Sequence, residues 1–233
     1  MYEKIIVLVL IVGVVVGKYF YAKDIAPVNE TTSTPTSTAV TEKSTPVSFF
    51  ITSSNPGKGG DLGGLRGADA YCSLLAEKAG VTNKVWKAYL STTGIESENA
   101  RDRIGSGPWY NTKGELVAAT LEELRSSNSL AKSTALDENG QQINGRGDTP
   151  NWHDMLTGSL ADGMASTSDA VDTTCGNWTS SSIGSAIVGH HDRVGINDSA
   201  PMKSWNSSHG TRGCTIESFN QTGGAGLFYC FAQ

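Results

Sequence analysis

The chain has 233 residues and a formal net charge of -5, with 18 Lys and Arg against 23 Asp and Glu. Without a basic excess, nucleic acid is excluded as the expected partner. Only 18% of the residues are charged and 27 are glycine, a balance that fits a loop-rich extracellular domain better than a helical cytosolic enzyme.

The first 24 residues are MYEKIIVLVLIVGVVVGKYFYAKD, in which Lys4 precedes 13 apolar residues, Ile5 to Gly17. That run is shorter than the roughly 20 residues of a membrane span and suits the apolar segment of a secretory signal. Lys18 can snorkel while Tyr19, Phe20 and Tyr21 sit at the interface, so a short signal anchor is the equal alternative. Residues 1–24 are therefore a signal peptide or signal-anchor helix, and either one exports the chain. Residues 25–46 are a linker, whose stretch 28–46 holds ten Ser or Thr and two Pro in 19 positions. Such a segment cannot bury a core and reads as an extended stalk. Residues 47–233 are the folded domain.

In VSFFITSS, the alternation of Val47, Phe49 and Ile51 predicts an opening strand. The glycine-rich NPGKGGDLGGLRG lacks the spacing of a phosphate-binding loop and reads as a connection. ADAYCSLLAEKAG predicts a helix, with Asp69 in its first turn, Gly80 capping its end, and Ala68, Cys72, Leu75 and Ala79 on its buried face. KVWKAYLS alternates Trp86, Ala88 and Leu90 as a buried strand. SENARDRI predicts a second short helix, and GPWYNTKGELVA two strands around a turn at Asn111 to Gly114. DENGQQI carries an Asn139-Gly140 hairpin signal. From about 137 to 225 no helical period appears, only short strands and polar loops. The chain closes on GLFYCFAQ, a buried strand carrying Leu227, Tyr229 and Phe231. Pairing of the first and last strands brings the ends of the domain together, and the class is α+β.

The cysteines are Cys72, Cys175, Cys214 and Cys230. None forms a CxxC pair, export favours disulfides, and four cysteines allow three pairings. The succession FFITSSNPGKGGDLGGLRGADAYC, VWKAYLST, ARDRI, GPWYNTKGELVA, LTGSLADG, CGNWTSS, SWNSS, GC and LFYCFA resembles the bacterial domain of leptospiral endostatin-like outer-membrane proteins. The likeness runs over residues 49–233 and rests on the order and spacing of these motifs. It implies a C-type-lectin-like fold similar to the endostatin module. It also implies two disulfides, Cys72–Cys230 from the first helix to the last strand and Cys175–Cys214 across the long loop region. A helix cysteine on a buried face and a cysteine in the terminal strand are natural partners on the residue reading as well.

SWNSSHGTRGC holds Trp205-Asn206-Ser207 where calcium-dependent lectins carry Trp-Asn-Asp. Ser207 replaces the carboxylate that a hard cation prefers, and the companion Glu-Pro-Asn or Gln-Pro-Asp motif is absent. Trp205 reads as core beneath the loop. His153-Asp154, His190-His191-Asp192 and His209 have the ligand types of a zinc site. Adjacent histidines do not readily share one tetrahedral ion, however, and these residues read as surface loop histidines. No metal is assigned, calcium and zinc being the two ions the pattern allows. No GxSxG elbow accompanies the serines, so the chain is not read as an enzyme. Arg146-Gly147-Asp148 is an adhesive tripeptide of common chance occurrence. The expectation is an exported cell-surface binding or adhesion module for an extracellular protein or glycan, tied to the membrane by its N-terminal segment or secreted. Its ligand-binding candidates are Asp192, Trp205, Asn206 and His209, within a loop region from about 176 to 213. The alternatives are a calcium-dependent carbohydrate-binding lectin and a structural envelope protein without a small ligand.

Overall fold

A computed structural model describes residues 46–233 apart from residue 169. The signal or anchor segment expected over 1–24 and the linker expected over 25–46 lie outside the described residues, save for Pro46. Among the described residues no helix is long and apolar enough to cross a membrane.

Strand β1 is Phe49–Ile51, and the last strand, β8, is Gly224–Ala232. They pair antiparallel, with Phe50 opposite Cys230 and Ile51 opposite Tyr229. Strand β2 (Trp86–Ala88) also runs antiparallel to β8, placing Ala88 opposite Cys230 as well. The other half of β8 pairs in parallel with β5 (Asp154–Leu156), and β5 pairs antiparallel with β6 (Ile187–His190). The sheet ends at β7 (His209–Gly210), antiparallel to β6. Strands β3 (Trp109–Tyr110) and β4 (Leu116–Ala118) form the separate hairpin expected around Asn111 to Gly114.

Successive side chains of a strand face opposite sides, and here both sides are buried. Phe50, Phe228 and Cys230 join a core with Ala68, Cys72, Leu75, Trp86 and Ala88. Phe49, Ile51, Leu227, Tyr229 and Phe231 join a second core with Tyr89, Trp109 and Trp205. Val47 departs from the expected alternation: it packs in the first core and makes an isolated bridge to Tyr110 outside β1.

The first helix, α1 (Gly64–Lys78), starts four residues before the expected Ala68. Gly63 and Gly64, at φ 76° and 70°, turn the chain into it, a conformation open to glycine at little cost. Asp69 consequently lies in the second turn. There it pairs with Arg103 at 2.7 Å and Lys87 at 2.9 Å and accepts the Ala88 N–H. Ala76, not the half-buried Ala79, completes the buried face with Ala68, Cys72 and Leu75. Gly80 follows the helix with φ +80°, as its capping role requires.

Short helices α2 (Ala100–Arg103), α3 (Leu121–Ser126) and α5 (Ile216–Asn220) complete the regular helices. The segment α4 (Cys175–Trp178) is a left-handed turn, with φ of 49°, 61°, 56° and 66° in succession. Such a run is costly for residues with a Cβ. The Asn177 amide bonds both the N–H and the carbonyl of Thr93, and the Trp178 indole donates to the Ser91 carbonyl at 2.8 Å. These bonds, with the disulfide at Cys175, fix the turn.

The cysteines pair as Cys72–Cys230 and Cys175–Cys214, across 158 and 39 residues of chain. The first joins α1 to β8; the second closes the loop region that carries β6 and β7. In the chain-entropy account, losing the first closure costs about 5 kcal/mol and losing the second about 4 kcal/mol. Denaturant unfolding of the two double Cys→Ser variants should therefore place the Cys72/Cys230 variant below the Cys175/Cys214 variant.

Candidate functional site

The half of the sheet made by β5, β6 and β7 gathers the titratable side chains. Antiparallel register sets Asp154 opposite His190 and Val188 opposite His209, and His153 immediately precedes β5. Two glycines make the approach possible. A Cβ on Gly189 would lie 1.9 Å from the Trp205 carbonyl oxygen, so only a bare Cα lets the chain before β7 fold back onto β6. Gly223, at φ +105°, brings its backbone against the His153 ring, where a Cβ would stand 3.0 Å from Nε2.

Three imidazoles converge on one oxygen. His153 Nε2, His190 Nε2 and His209 Nε2 lie 3.2, 3.3 and 3.4 Å from Asp154 Oδ1. The rings of His153 and His190 stack with centroids 4.1 Å apart, and the His209 ring meets that of His190 edge-on at 5.1 Å. The side chains of His153 and Asp154 are each 1% exposed, that of His190 2% and that of His209 29%. These contacts lack hydrogen-bond geometry: both Asp154 oxygens and His190 Nε2 are buried and unpartnered. Buried polar atoms without a partner are uncommon and costly.

The other ring nitrogens fix the tautomers. His190 Nδ1 is 2.8 Å from the Met202 carbonyl oxygen, and His209 Nδ1 is 3.2 Å from that of Gly210. A carbonyl only accepts, so in both rings Nδ1 carries the hydrogen. Neutral, these rings then aim bare Nε2 lone pairs at the Asp154 carboxylate. His153 Nδ1 faces Asp192 Oδ1 at 3.4 Å, which favours the same tautomer there. Burial pushes the Asp154 carboxyl up, but His190 and His209, when their Nε2 atoms carry a proton, outweigh it and hold the group below its ordinary range. Its contact with Asp154 raises His209, against burial. Asp192 is likewise driven up by burial, yet contact with His153 and the backbone N–H groups of Arg146 and Val194 hold it well below the usual carboxylate range. Within 4.0 Å and among the described residues, Asp154 and Asp192 pair with histidines and with no lysine or arginine.

The histidines were expected on surface loops. Three of them are buried instead, because β5 and β6 pair inside the sheet. His190 and His191 do not share a target: the His191 ring reaches the Asn144 carbonyl with Nε2 at 3.2 Å, and burial lowers its basicity. Among the described residues, His153, Asp154 and His190 are the group whose donor atoms all lie within 4.8 Å of one another, close enough to hold an ion.

The four ligand-binding candidates divide. Asp192 and His209 belong to this cluster. Trp205 is core, its ring 4.8 Å from that of Tyr89 and 5.2 Å from that of Tyr229. Asn206 is buried beside it. The Asn206 amide donates to the Tyr89 hydroxyl and to the carbonyls of Leu160 and Ala161, and its oxygen accepts from Ser204. The bond from Ser204 engages the oxygen that a calcium ligand would need, and the three from the amide nitrogen fix the side chain in the core. Arg146 and Gly147 of the adhesive tripeptide are exposed, while Asp148 is half-buried and paired with Lys132. No protein-family model matches the chain, and no curated protein matches it.

Asn206→Ala leaves the partners of a buried amide unsatisfied and should cost about 2 kcal/mol or more. The loss should be the same with and without calcium, read as equal shifts of the denaturant midpoint.

Proposed function

We propose that this chain is an exported, non-catalytic binding module of the C-type-lectin-like class. It presents the loop region from about 176 to 213 to an extracellular protein or glycan. The observation that carries the reading is a loop region anchored in depth and apolar at its tips. Cys175–Cys214 closes it, β6 and β7 seat it on the sheet, and Ile183, Val194 and Ile196 are 87%, 47% and 75% exposed. Disulfides at all four cysteines suit an oxidising compartment. The likeness to leptospiral endostatin-like proteins supports the same role, and the Ser/Thr-rich linker would hold the domain off a surface. The Asp154 cluster is sealed except at His209, so it offers little access to a substrate. The occupied side chain of Asn206 and the hydroxyl at Ser207 weigh against the calcium-dependent lectin.

The test uses the full oxidised chain on a panel of immobilised extracellular-matrix glycoproteins and their released glycans. Ile183→Asp with Ile196→Asp should weaken capture by about tenfold or more and leave the unfolding midpoint unchanged. Undiminished capture by this variant overturns the loop assignment. Self-association as the only binding detected overturns the module reading in favour of an envelope scaffold, and capture that requires added calcium restores the lectin alternative.

A further inference from the structure

We infer that His153, Asp154 and His190, with His209 closing the fourth position, form a binding site for one divalent transition-metal ion of the zinc type. This inference does not depend on which partner the loop region meets.

Three separations at the cluster match the edges of a tetrahedral centre, and the stacked rings of His153 and His190 would tilt to share the ion. Zinc takes nitrogen and oxygen ligands about 2.0–2.1 Å away at tetrahedral corners, which sets the corner-to-corner distance at about 3.3–3.4 Å. The three nitrogen-to-oxygen separations at Asp154 are 3.2, 3.3 and 3.4 Å. His209 lies at the exposed edge of the cluster, outside the three residues whose donor atoms are all within 4.8 Å of one another, so its partly exposed side chain would shift to close the fourth position.

The unpartnered atoms point the same way. Asp154 Oδ1 and His190 Nε2 are buried without a hydrogen-bond partner, and a cation between the ligand atoms would give both one. The outer contacts are those of a metal centre: the Met202 and Gly210 carbonyls hold Nδ1 of His190 and His209, and the Asp192 carboxylate faces that of His153 at 3.4 Å. Charge closes as well. Among the described residues, Asp154 and Asp192 are two buried carboxylates paired with histidines and with no lysine or arginine, and one dication balances their charge. Imidazole-rich sites suit zinc and its neighbours rather than calcium or magnesium, which prefer all-oxygen shells.

The ion would staple three strands. His153 and Asp154 stand at β5, His190 at the end of β6 and His209 in β7, so one centre fixes both ends of the segment 191–208. Strand β7 has two residue pairs with β6 and, among the described residues, no strand on its other edge, so it depends most on such a staple.

The full oxidised chain, stripped with a chelator and dialysed, is titrated with zinc by calorimetry and with cobalt(II) by visible absorption. One zinc per chain should bind, with a cobalt spectrum of four-coordinate intensity. At a hundredfold excess over the dissociation constant, zinc should raise the thermal midpoint by about 5–11 °C. His190→Ala and Asp154→Asn should abolish binding. Asp192→Asn, acting through His153, should weaken it about 10–100-fold, while His191→Gln should bind as the parent does. His209→Ala, at the exposed edge, keeps the test open if the buried variants do not fold: it should weaken zinc by about tenfold or more and change the cobalt spectrum. Absence of a stoichiometric site in the parent overturns the inference. So does zinc binding that survives His190→Ala and His209→Ala unchanged, or calcium binding in place of zinc.

Discussion

Everything in the described domain is built against β8. It is hydrogen-bonded to β1 on one edge and to β2 and β5 on the other, and its side chains feed two cores in alternation. A strand used on four sides tolerates little. Cys230 faces α1 and is bonded to it, while Tyr229, on the opposite face, donates its hydroxyl to the Trp205 carbonyl at 2.8 Å. The closing strand therefore positions the first helix on one face and the backbone beneath the loop region on the other. The parallel pairing with β5 carries that order outward to β6 and β7, where Asp154 and the histidines meet.

The polar interior follows from the same layout. Strand β5 lies between β8 and β6, so Asp154 is buried at the start of a strand paired on both edges, and β7 alone of this group is an edge strand. The cost of burying polar groups is offset by shared partners: Asp192 serves His153, Arg146 and Val194, and the Asn206 side chain ties Tyr89 to the 160–161 turn and Ser204. Arg103, nearly buried near α1, is balanced in the same way by Asp69 and Glu98.

The strands legible in the sequence are β1 and β2, by their alternating apolar residues, and β8, by its apolar closing run, with the β3–β4 hairpin given by its turn residues. The start of α1 is hidden because its entry is made by glycines, which propensity marks as breakers. Helix α3 is hidden because Leu124 is its one buried residue and leaves no apolar period. Its capping pair is plain in retrospect: Thr120 accepts the Glu123 N–H while the Glu123 carboxylate accepts that of Ala119. The site was the least legible part. Asp192 and His209 stand out by residue type, but His153, Asp154, His190 and His209 are brought together by strand register alone. Adjacent His190 and His191 are not expected to share an ion, and the structure gives the two rings different partners.

The span of the Cys72–Cys230 bond has a bearing on survival among proteases. Every exposed loop between residues 73 and 229 lies inside that covalent ring, and the loop tips at Ile183, Val194 and Ile196 lie inside the Cys175–Cys214 ring as well. A single backbone cut at any of them opens the chain but releases no fragment. The two pieces stay joined through sulfur, held against the same strand. Display of the loop region thus does not hinge on an intact backbone: a nicked copy keeps all its parts in place until a second cut or a reductant frees them.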